Sequence, residues 1–153
     1  MVRRIEIADI EQVNQLYYKL FESLAELEPD YIRPTFQKTE FLETIVKQEA
    51  GFIGFVYEQD NEILGFIIAQ KQQSAPYDCF KPLNGVYILD IIVDENHRGR
   101  SVGSQLIHAI KAWSLTIKAQ YLELSVLSKN ESAFQLYLKE GFTPFEVSMK
   151  IKL

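Results

Sequence analysis

The sequence has little cysteine and no long apolar run. Cys79 is the only cysteine among 153 residues, which excludes an intramolecular disulfide and a cysteine-rich metal site. No apolar stretch approaches the roughly 20 residues that cross a bilayer, and the beginning of the chain turns acidic where a signal peptide would be apolar. We therefore expect a cytoplasmic protein with no membrane partner and no bound metal.

Positive charge is also scarce. The chain has 16 Lys and Arg residues against 21 Asp and Glu residues, a formal net charge of -5. This balance argues against nucleic acid as a partner, because affinity for phosphate backbones depends on a surplus of positive charge. The hydrophobic content of 47%, without repeats or linkers, predicts a single domain over residues 1–153.

The spacing of apolar residues predicts alternating strands and helices, and hence the α/β (α+β) fold class. Asp9 is the expected N-cap of the first helix, which Pro29 ends, and Thr39 is the expected N-cap of the second. Asp60 and Asn61 suit the turn of an antiparallel hairpin. The other predicted elements are a strand at 3–6, a central strand at 86–93, a helix from Ser101, a strand at 121–127, a helix with a Ser128/Glu131 capping box that ends at Gly141, and a closing strand at 145–152.

The segment "HRGRSVGSQL" joins the most apolar predicted strand to a helix. The first amides of a helix lack intrahelical partners and lie at the positive end of its dipole, so they can bind phosphate oxygens. Gly99 and Gly103 would expose the main chain, and Arg98 and Arg100 add positive charge. The pattern indicates either a diphosphate site or a simple turn. The Walker and dinucleotide glycine patterns are both absent.

Asp90 interrupts the apolar stretch "YILDIIV". A carboxylate in such a strand must be paired, shifted in pKa or exposed at a local opening. Two interpretations stay open from the residues alone. Asp90 is either hydrogen-bonded to nearby main chain or a base beside a cleft.

Two motifs in the second half of the chain resemble those of the GNAT superfamily of acetyl-CoA-dependent N-acetyltransferases. The pyrophosphate pattern Q/R-x-x-G-x-G/A is met from Arg98 to Gly103 except at Ser101, and the pattern N-x-x-A-x-x-x-Y-x-x-x-G-F is met in full from Asn130 to Phe142. The resemblance implies a mostly antiparallel central sheet with splayed central strands and flanking helices. It leaves a homodimer open.

The resemblance also implies roles for individual residues. Main-chain groups of Ile91, Ile92 and Val93 would bind the pantetheine arm of acetyl-CoA and polarise its thioester. Asn130 and Ala133 would contact the cofactor arm, and Tyr137 would protonate the departing thiolate. The diphosphate would be held by Arg98, Gly99, Arg100, Ser101, Val102, Gly103 and Ser104.

Ser101 departs from the glycine of the family motif. The missing side chain of glycine lets the diphosphate approach the helix closely. Serine is small, suits a helix start and has a hydroxyl that could bind the same phosphate. We therefore interpret Ser101 as a tolerated variation.

An amine acceptor such as lysine has a reference pKa near 10.4, so a base must remove its proton. Asp90 is the candidate for this role, directly or through water, and Glu123 on the neighbouring strand is its rival. Cys79 could carry the acetyl group in a two-step reaction, but no activating base is evident, and direct transfer in a ternary complex is favoured.

The acceptor is expected to be a small-molecule amine, polyamine-like, or a peptide amine. It would enter from the side formed by the first two helices and the loop "QQSAPYDCFKP", where aromatic and acidic residues would form the surface without individual roles. The alternative function is a CoA-binding regulatory or scaffold module without transfer activity. The residues of the expected entrance are Tyr17, Tyr18, Tyr31, Phe36, Tyr77, Glu28 and Asp30.

Overall fold

The structure is a computed structural model that describes residues 1–153. One sheet has the strand order β1-β2-β3-β4-β5, with all neighbours antiparallel except the parallel pair β4 and β5. The elements are β1 (Val2–Arg4), α1 (Ile10–Leu27), α2 (Thr39–Val46), β2 (Phe52–Gln59), β3 (Glu62–Gln73), β4 (Asn84–Val93), α3 (Val102–Thr116), β5 (Tyr121–Leu124) and α4 (Glu131–Lys139). This mixed layer confirms the predicted fold class.

The hairpin of β2 and β3 turns where the sequence predicts it. Asp60 and Asn61 have φ angles of 54° and 64°, the left-handed region that these two residue types tolerate. The hairpin supplies the centre of the sheet. Its β3 strand is apolar on both faces because helices cover the sheet on both sides.

The core has two parts, one on each face of the sheet. On one face α1 and α2 contribute Val13, Leu16, Tyr17 and Ile45 to a cluster with Phe66 of β3. On the other face α3 and α4 pack their apolar residues against the outer side of β3 and β4. None of the helices combines the length and hydropathy that crossing a bilayer requires.

A β-bulge in β4 changes the direction of its side chains. Ala69 pairs with Ile88 and Ile68 pairs with Asp90, which leaves Leu89 as the extra residue. Ile88 packs on the α3 side, whereas Leu89 packs on the α1 side. The bulge therefore turns Asp90 towards α1, opposite to the face that strict alternation from Ile88 would give it.

Of the three predicted N-cap positions, that of Asp9 is confirmed and those of Thr39 and Ser128 are wrong. Asp9 occupies the N-cap position of α1 but makes no capping bond, because its carboxylate instead accepts hydrogen bonds from the Arg3 guanidinium at 2.7 and 2.8 Å. Lys38 occupies the N-cap position of α2, and Thr39 is its first residue. Asn130, not Ser128, caps α4. Gly141 ends α4 with a φ of 95°, as predicted.

The predicted closing strand at 145–152 does not form within the chain. Residues 143–153, called the C-terminal tail below, belong to no strand and take part in no main-chain hydrogen bond. The sheet therefore ends at β5.

Candidate active site

A gap opens in the sheet between β4 and β5. Their pairing ends at Ile88 and Leu124, and β4 continues alone to Val93. Five residues of β4, from Leu89 to Val93, thus have no strand beside them on the β5 side. These are the splayed central strands that the family resemblance implies.

Only alternate residues of β4 turn their main-chain groups into the gap. The Asp94 N–H donates to the Leu64 carbonyl at 2.8 Å, so alternation assigns the next hydrogen-bonded pair to Phe66 and Ile92. The main-chain groups of Ile91 and Val93 therefore face the gap, and those of Ile92 face β3. The Ile92 side chain is buried in the core.

The N-terminus of α3 presents a row of free amide groups. The first helical hydrogen bond runs from the Gln105 N–H to the Ser101 carbonyl at 3.0 Å. The N–H groups of residues 98–104 find no acceptor in the protein. Consecutive unpaired donors at the positive end of a helix suit a group with several anionic oxygens.

The segment before these amides is fixed to α1 by Asp94. The Lys19 ammonium donates to the Asp94 carboxylate at 2.9 Å, and the Asn96 N–H donates to the same carboxylate at 3.1 Å. The hydrogen bond from Lys19 outweighs burial and lowers the pKa of Asp94 to about 2. The turn that leads into the free amides is thereby held in place at neutral pH.

The two glycines of this corner have different functions in the fold. Gly99 has a φ of 75°, and the space that a Cβ would fill there is open. A Cβ on Gly103 would lie 3.1 Å from the Leu136 side chain, so this glycine lets α3 pack closely against α4. Gly99 is exposed, whereas Gly103 is buried with its N–H unpaired, and the contact of either glycine with a diphosphate stays a prediction.

Ser101 occupies a position that favours glycine for a conformational reason. Its φ is 63° and its hydroxyl makes no capping bond. A side chain in the left-handed region costs roughly 1–2 kcal/mol. The sequence-based explanation of the motif glycine, close approach of a phosphate, therefore misses this backbone requirement.

Replacing Ser101 with Gly should raise the free energy of unfolding by about 0.5–1 kcal/mol, because the relief of left-handed strain exceeds the entropy that glycine adds to the unfolded chain. Urea unfolding measures the change. Ser101→Ala is the matched control, since it removes the hydroxyl and keeps the Cβ, and it should give no gain. An equal gain in both variants would attribute the effect to the hydroxyl and contradict the argument.

Asp90 lies on the α1 side of the gap and is partly buried. The Tyr17 hydroxyl donates to its Oδ2 at 2.8 Å. Burial raises the pKa of Asp90, and the hydrogen bond from Tyr17 opposes that rise. The interpretation that Asp90 is hydrogen-bonded to nearby main chain is wrong, because its carboxylate binds the Tyr17 side chain instead. A carboxylate with a raised pKa is a suitable proton acceptor near neutral pH.

Tyr137 lies on the opposite side of the gap, in the cluster that α3 and α4 form. Its side chain is buried, yet its hydroxyl has no hydrogen-bond partner and is not sealed from solvent. Burial, and next the charge of Asp90, raises the pKa of Tyr137 to about 12. The hydroxyl is thus protonated, free to donate a hydrogen bond, and influenced by the charge of Asp90.

The remaining residues of the second motif lie at the beginning of α4. Asn130 uses its side-chain oxygen to cap the helix, accepting from the Ala133 N–H at 3.4 Å. Its amide nitrogen makes no bond within the protein. Ala133 packs beside Tyr137 in the same cluster. Ala133 and Tyr137 of α4 thus share one cluster with Ile91 and Val93 of β4 and Val102 of α3.

Two alternatives to these residues lie elsewhere. Glu123 pairs across the sheet with Tyr87, where β4 and β5 are still joined, and accepts a hydrogen bond from the Gln72 side chain at 2.6 Å. Cys79 is exposed in the loop between β3 and β4 and makes no hydrogen bond with a base. No cluster of candidate metal ligands occurs in the structure.

The expected entrance surface needs correction. Tyr17 is fully buried and does not contribute to a surface. The two acidic groups are already paired, Glu28 with Lys129 at 3.2 Å and Asp30 with Lys152 at 3.4 Å. The sequence analysis therefore overestimated the free negative charge at this entrance. The rings of Tyr18 and Phe36, with centroids 4.8 Å apart, still supply an aromatic pair on the α1 side.

The sequence placed Tyr17 at the expected entrance but did not identify it as the hydrogen-bond partner of Asp90. Its position in the apolar stripe of α1 indicates core, which is correct for its ring. A lone tyrosine in an aliphatic stripe is the only signal for a buried partner of its hydroxyl. Asp90 could be identified as that partner only from the structure, because the bulge at Leu89 turns it towards α1.

Comparison with known proteins places these features in a family. The sequence matches the Acetyltransferase (GNAT) family over residues 10–142. The chain belongs to the GNAT family. A matching relative is the uncharacterized N-acetyltransferase YobR of Bacillus subtilis (strain 168), 38% identical over 55 residues. That match covers 36% of this chain and 22% of the relative.

Solved structures agree with the GNAT fold along the whole chain. A single-site mutant of the BH1408 protein from Bacillus halodurans has a TM-score of 0.93 at 23% identity, covering 100% of this chain and 99% of that one. The aminoglycoside N-acetyltransferase AAC(6')-Iy, in a complex with CoA, has a TM-score of 0.75 at 19% identity and coverages of 100% and 98%. The aminoglycoside acetyltransferase meta-AAC0020, from an uncultured soil metagenomic sample, has a TM-score of 0.72 at 22% identity and coverages of 100% and 94%.

Proposed function

We propose that this GNAT chain transfers an acetyl group from acetyl-CoA to a primary amine of a small molecule, directly and within a ternary complex. The observation that carries the proposal is the row of unpaired amides at residues 98–104 beside a gap bordered by Asp90 and Tyr137. The unpaired amides suit a diphosphate. Asp90 and Tyr137 suit the two proton transfers, from the attacking amine and to the leaving thiolate.

Acetyl-CoA supplies, when bound, a thioester whose carbonyl carbon is the electrophile. The free amides of residues 98–104, with the charges of Arg98 and Arg100, would hold its diphosphate. The Arg98 Nε already donates to the Val93 carbonyl at 3.2 Å, which leaves its terminal nitrogens for a phosphate. The open space at Gly99 supports this fit, because no side chain occupies it.

The edge of β4 would hold the pantetheine arm. Ile91 and Val93 have main-chain groups that face the gap, and an N–H there is suited to polarise a carbonyl oxygen. Ile92 has no free main-chain group on that side, so in the proposal it contributes packing only. The unbonded amide nitrogen of Asn130 and the small side chain of Ala133 would border the same arm.

Each side of the gap would provide one of the two proton transfers. Asp90, on the α1 side, would accept the proton of the incoming ammonium group, directly or through water, and its raised pKa brings it closer to that task. Tyr137, on the α3 side, would donate its proton to the sulfur as the thiolate leaves. Glu123 is less suited as the base, because Gln72 already binds its carboxylate where the strands are still paired.

The acceptor class is a small molecule with a primary amine. The aromatic pair of Tyr18 and Phe36 lies on the α1 side, where an amine would approach Asp90. A polyamine is one such acceptor, although the paired state of Glu28 and Asp30 weakens the electrostatic argument for it. Two structural relatives are named aminoglycoside acetyltransferases, so an aminoglycoside belongs among the amines to be tested.

The alternative is a CoA-binding regulatory or scaffold module without transfer activity. It would use the amides of α3 and leave Asp90 and Tyr137 without a function. The free hydroxyl of Tyr137 favours the enzyme over this alternative, because a purely structural buried tyrosine normally finds a hydrogen-bond partner.

Acetyl-CoA at a hundred times its dissociation constant should raise the free energy of unfolding by about 2.7 kcal/mol, and ATP at the same concentration should not. Thermal unfolding measures both. Arg100→Gln should reduce the effect, whereas Arg33→Gln, which removes an exposed arginine elsewhere, should preserve it. Equal responses to acetyl-CoA and ATP would contradict the cofactor assignment.

Thiol release from acetyl-CoA separates the enzyme from the alternative module. The acceptors to be compared are a polyamine, an aminoglycoside and a lysine-containing peptide. Release that depends on an amine supports the enzyme. Binding of acetyl-CoA without release by any of these amines would favour the regulatory module.

A further inference from the structure

Glu140 is a buried carboxylate that the proposed reaction does not use. It directly follows the last residue of α4, and only 5% of its side chain is exposed. Two general costs oppose a carboxylate at this position, because burial removes its hydration and the C-terminus of a helix is the negative end of the helix dipole. The contacts that offset these costs all come from α3.

Three residues of α3 surround the Glu140 carboxylate. The His108 Nε2 donates to the Glu140 Oε2 at 2.9 Å, and the Lys111 ammonium donates to the same oxygen at 3.4 Å and to the Glu140 main-chain carbonyl at 2.5 Å. Burial raises the pKa of Glu140, but hydrogen bonds from the Ser104 hydroxyl and from Lys111 outweigh burial and bring the pKa below its ordinary value. The carboxylate is therefore charged at neutral pH and only accepts hydrogen bonds.

These bonds determine how α4 is oriented on α3. All hydrogen bonds that join the two helices end on Glu140. The apolar part of the interface, where Leu136 packs against Gly103, lets the helices approach closely. Apolar packing is not directional, whereas hydrogen bonds require particular distances and angles. The bonds to Glu140 therefore fix the end of α4 along and around its axis.

The position of the Tyr137 hydroxyl depends on the position of α4. This hydroxyl has no hydrogen-bond partner that would hold it at the gap. Tyr137 precedes Glu140 by three residues, so the two side chains lie on the same side of the helix. The α3 helix is anchored independently, because its residues Leu106, Ile107 and Ile110 are fully buried in the core. Loss of the bonds to Glu140 would therefore displace α4 and leave α3 in place.

We infer that Glu140 is a positioning residue for acetyl transfer: its buried carboxylate fixes α4 against α3 and thereby holds the Tyr137 hydroxyl at the gap. This inference rests on the proposed function, because it needs Tyr137 as the proton donor to the leaving thiolate. Glu140 itself would contact neither the cofactor nor the acceptor, since α3 encloses its carboxylate. Its loss should therefore affect the chemical step and spare the binding of acetyl-CoA.

Glu140→Gln should lower kcat about tenfold or more, because displacing a reacting group by about 1 Å costs up to roughly 100-fold. The dissociation constant of acetyl-CoA should stay within about twofold, since the amides suited to its diphosphate remain on α3. Steady-state kinetics with a responsive amine and a binding titration measure the two quantities. Lys139→Gln is the matched control, because it removes the charge of the exposed neighbouring residue. A wild-type kcat in Glu140→Gln, or an equal loss in Lys139→Gln, would overturn the inference.

The double variant Glu140→Gln/Tyr137→Phe separates positioning from a general structural effect. If Glu140 acts through the Tyr137 hydroxyl, adding Glu140→Gln to Tyr137→Phe should change kcat by less than about twofold. A structural defect would lower kcat in both backgrounds equally, which would overturn the inference and leave the acid role of Tyr137 intact. Equal kcat values for Tyr137→Phe and the wild type would instead overturn the acid role, and this inference with it.

Amide hydrogen exchange without ligand tests how Glu140 holds α4, independently of activity. In Glu140→Gln the amides of α4 should exchange at least about tenfold faster than in the wild type, whereas those of α3 should keep their rates. Unchanged exchange in α4 would contradict the inference.

Lys111→Gln removes bonds to Glu140 from the partly exposed side of the interface. It should lower kcat in the same way, with the affinity for acetyl-CoA preserved. This variant decides the case if Glu140→Gln fails to fold, which circular dichroism would reveal. A wild-type kcat in Lys111→Gln would then overturn the inference.

Discussion

Tyr137→Phe should lower kcat by about 100-fold or more while the dissociation constant of acetyl-CoA stays within about twofold, because a positioned general acid contributes roughly 10²–10⁴ to the rate. The lost group is a hydroxyl without a partner in the protein, so its removal leaves no buried donor or acceptor unpaired. Steady-state kinetics with a responsive amine and a binding titration measure the two quantities.

The pKa of Tyr137 makes this prediction specific. At about 12, it keeps the hydroxyl protonated throughout the range in which the protein can be assayed. The rate should therefore show no decline attributable to Tyr137 below about pH 10. Tyr57→Phe is the matched control, because Tyr57 packs against the same cluster from β2, which β3 separates from β4 and the gap, and its replacement should not change kcat. Equal kcat values for Tyr137→Phe and the wild type would remove Tyr137 from the acid role.

The regular elements of this fold were predictable because their signals are local. The stripe of Val13, Leu16 and Leu20 and the turn at Asp60 and Asn61 depend on residues close in the sequence. The family motifs directed attention to the strand-to-helix corner and to α4, since glycine at a helix start has a recognisable context. The fold class and the position of the corner at residues 98–104 followed from these signals.

The gap and the bulge were not predictable in the same way. The gap exists because β5 leaves β4 at Leu124, which depends on the pairing of strands far apart in the chain. The bulge at Leu89 depends on the register with Ile68 and Ala69 of β3. The bulge decides which side of the sheet Asp90 faces, so the hydrogen bond between Tyr17 and Asp90 could not be predicted from local pattern.

The tail illustrates the same limit. Its alternation predicts a strand at 145–152, and this prediction is wrong because a strand also requires an edge to pair with. Within one chain that pairing does not occur. Local pattern thus predicted a strand, but whether a strand partner is within reach depends on the arrangement of the whole sheet.

Asp90→Asn should produce a protein that is at least as stable as the wild type at neutral pH and about 100-fold slower in kcat. Burial raises the pKa of Asp90 in the folded chain above its value in the unfolded chain, despite the opposing hydrogen bond from Tyr17. Between these two pKa values the folded state binds more protons, so the free energy of unfolding falls as pH rises through that interval. The neutral asparagine avoids the free-energy cost of burying a charged carboxylate and keeps an acceptor for the Tyr17 hydroxyl. Urea unfolding and steady-state kinetics at pH 7 measure the two effects.

The pH dependence of the rate identifies the base. If the Asp90 carboxylate removes the proton, the rate should rise with pH through its pKa, and Asp90→Asn should lose this acidic limb. Tyr17→Phe removes the hydrogen bond that lowers the pKa, so the limb should move to higher pH. A packing defect alone would reduce the rate without moving the limb. Glu123→Gln should leave the limb in place, and its loss in that variant instead would transfer the base role to Glu123.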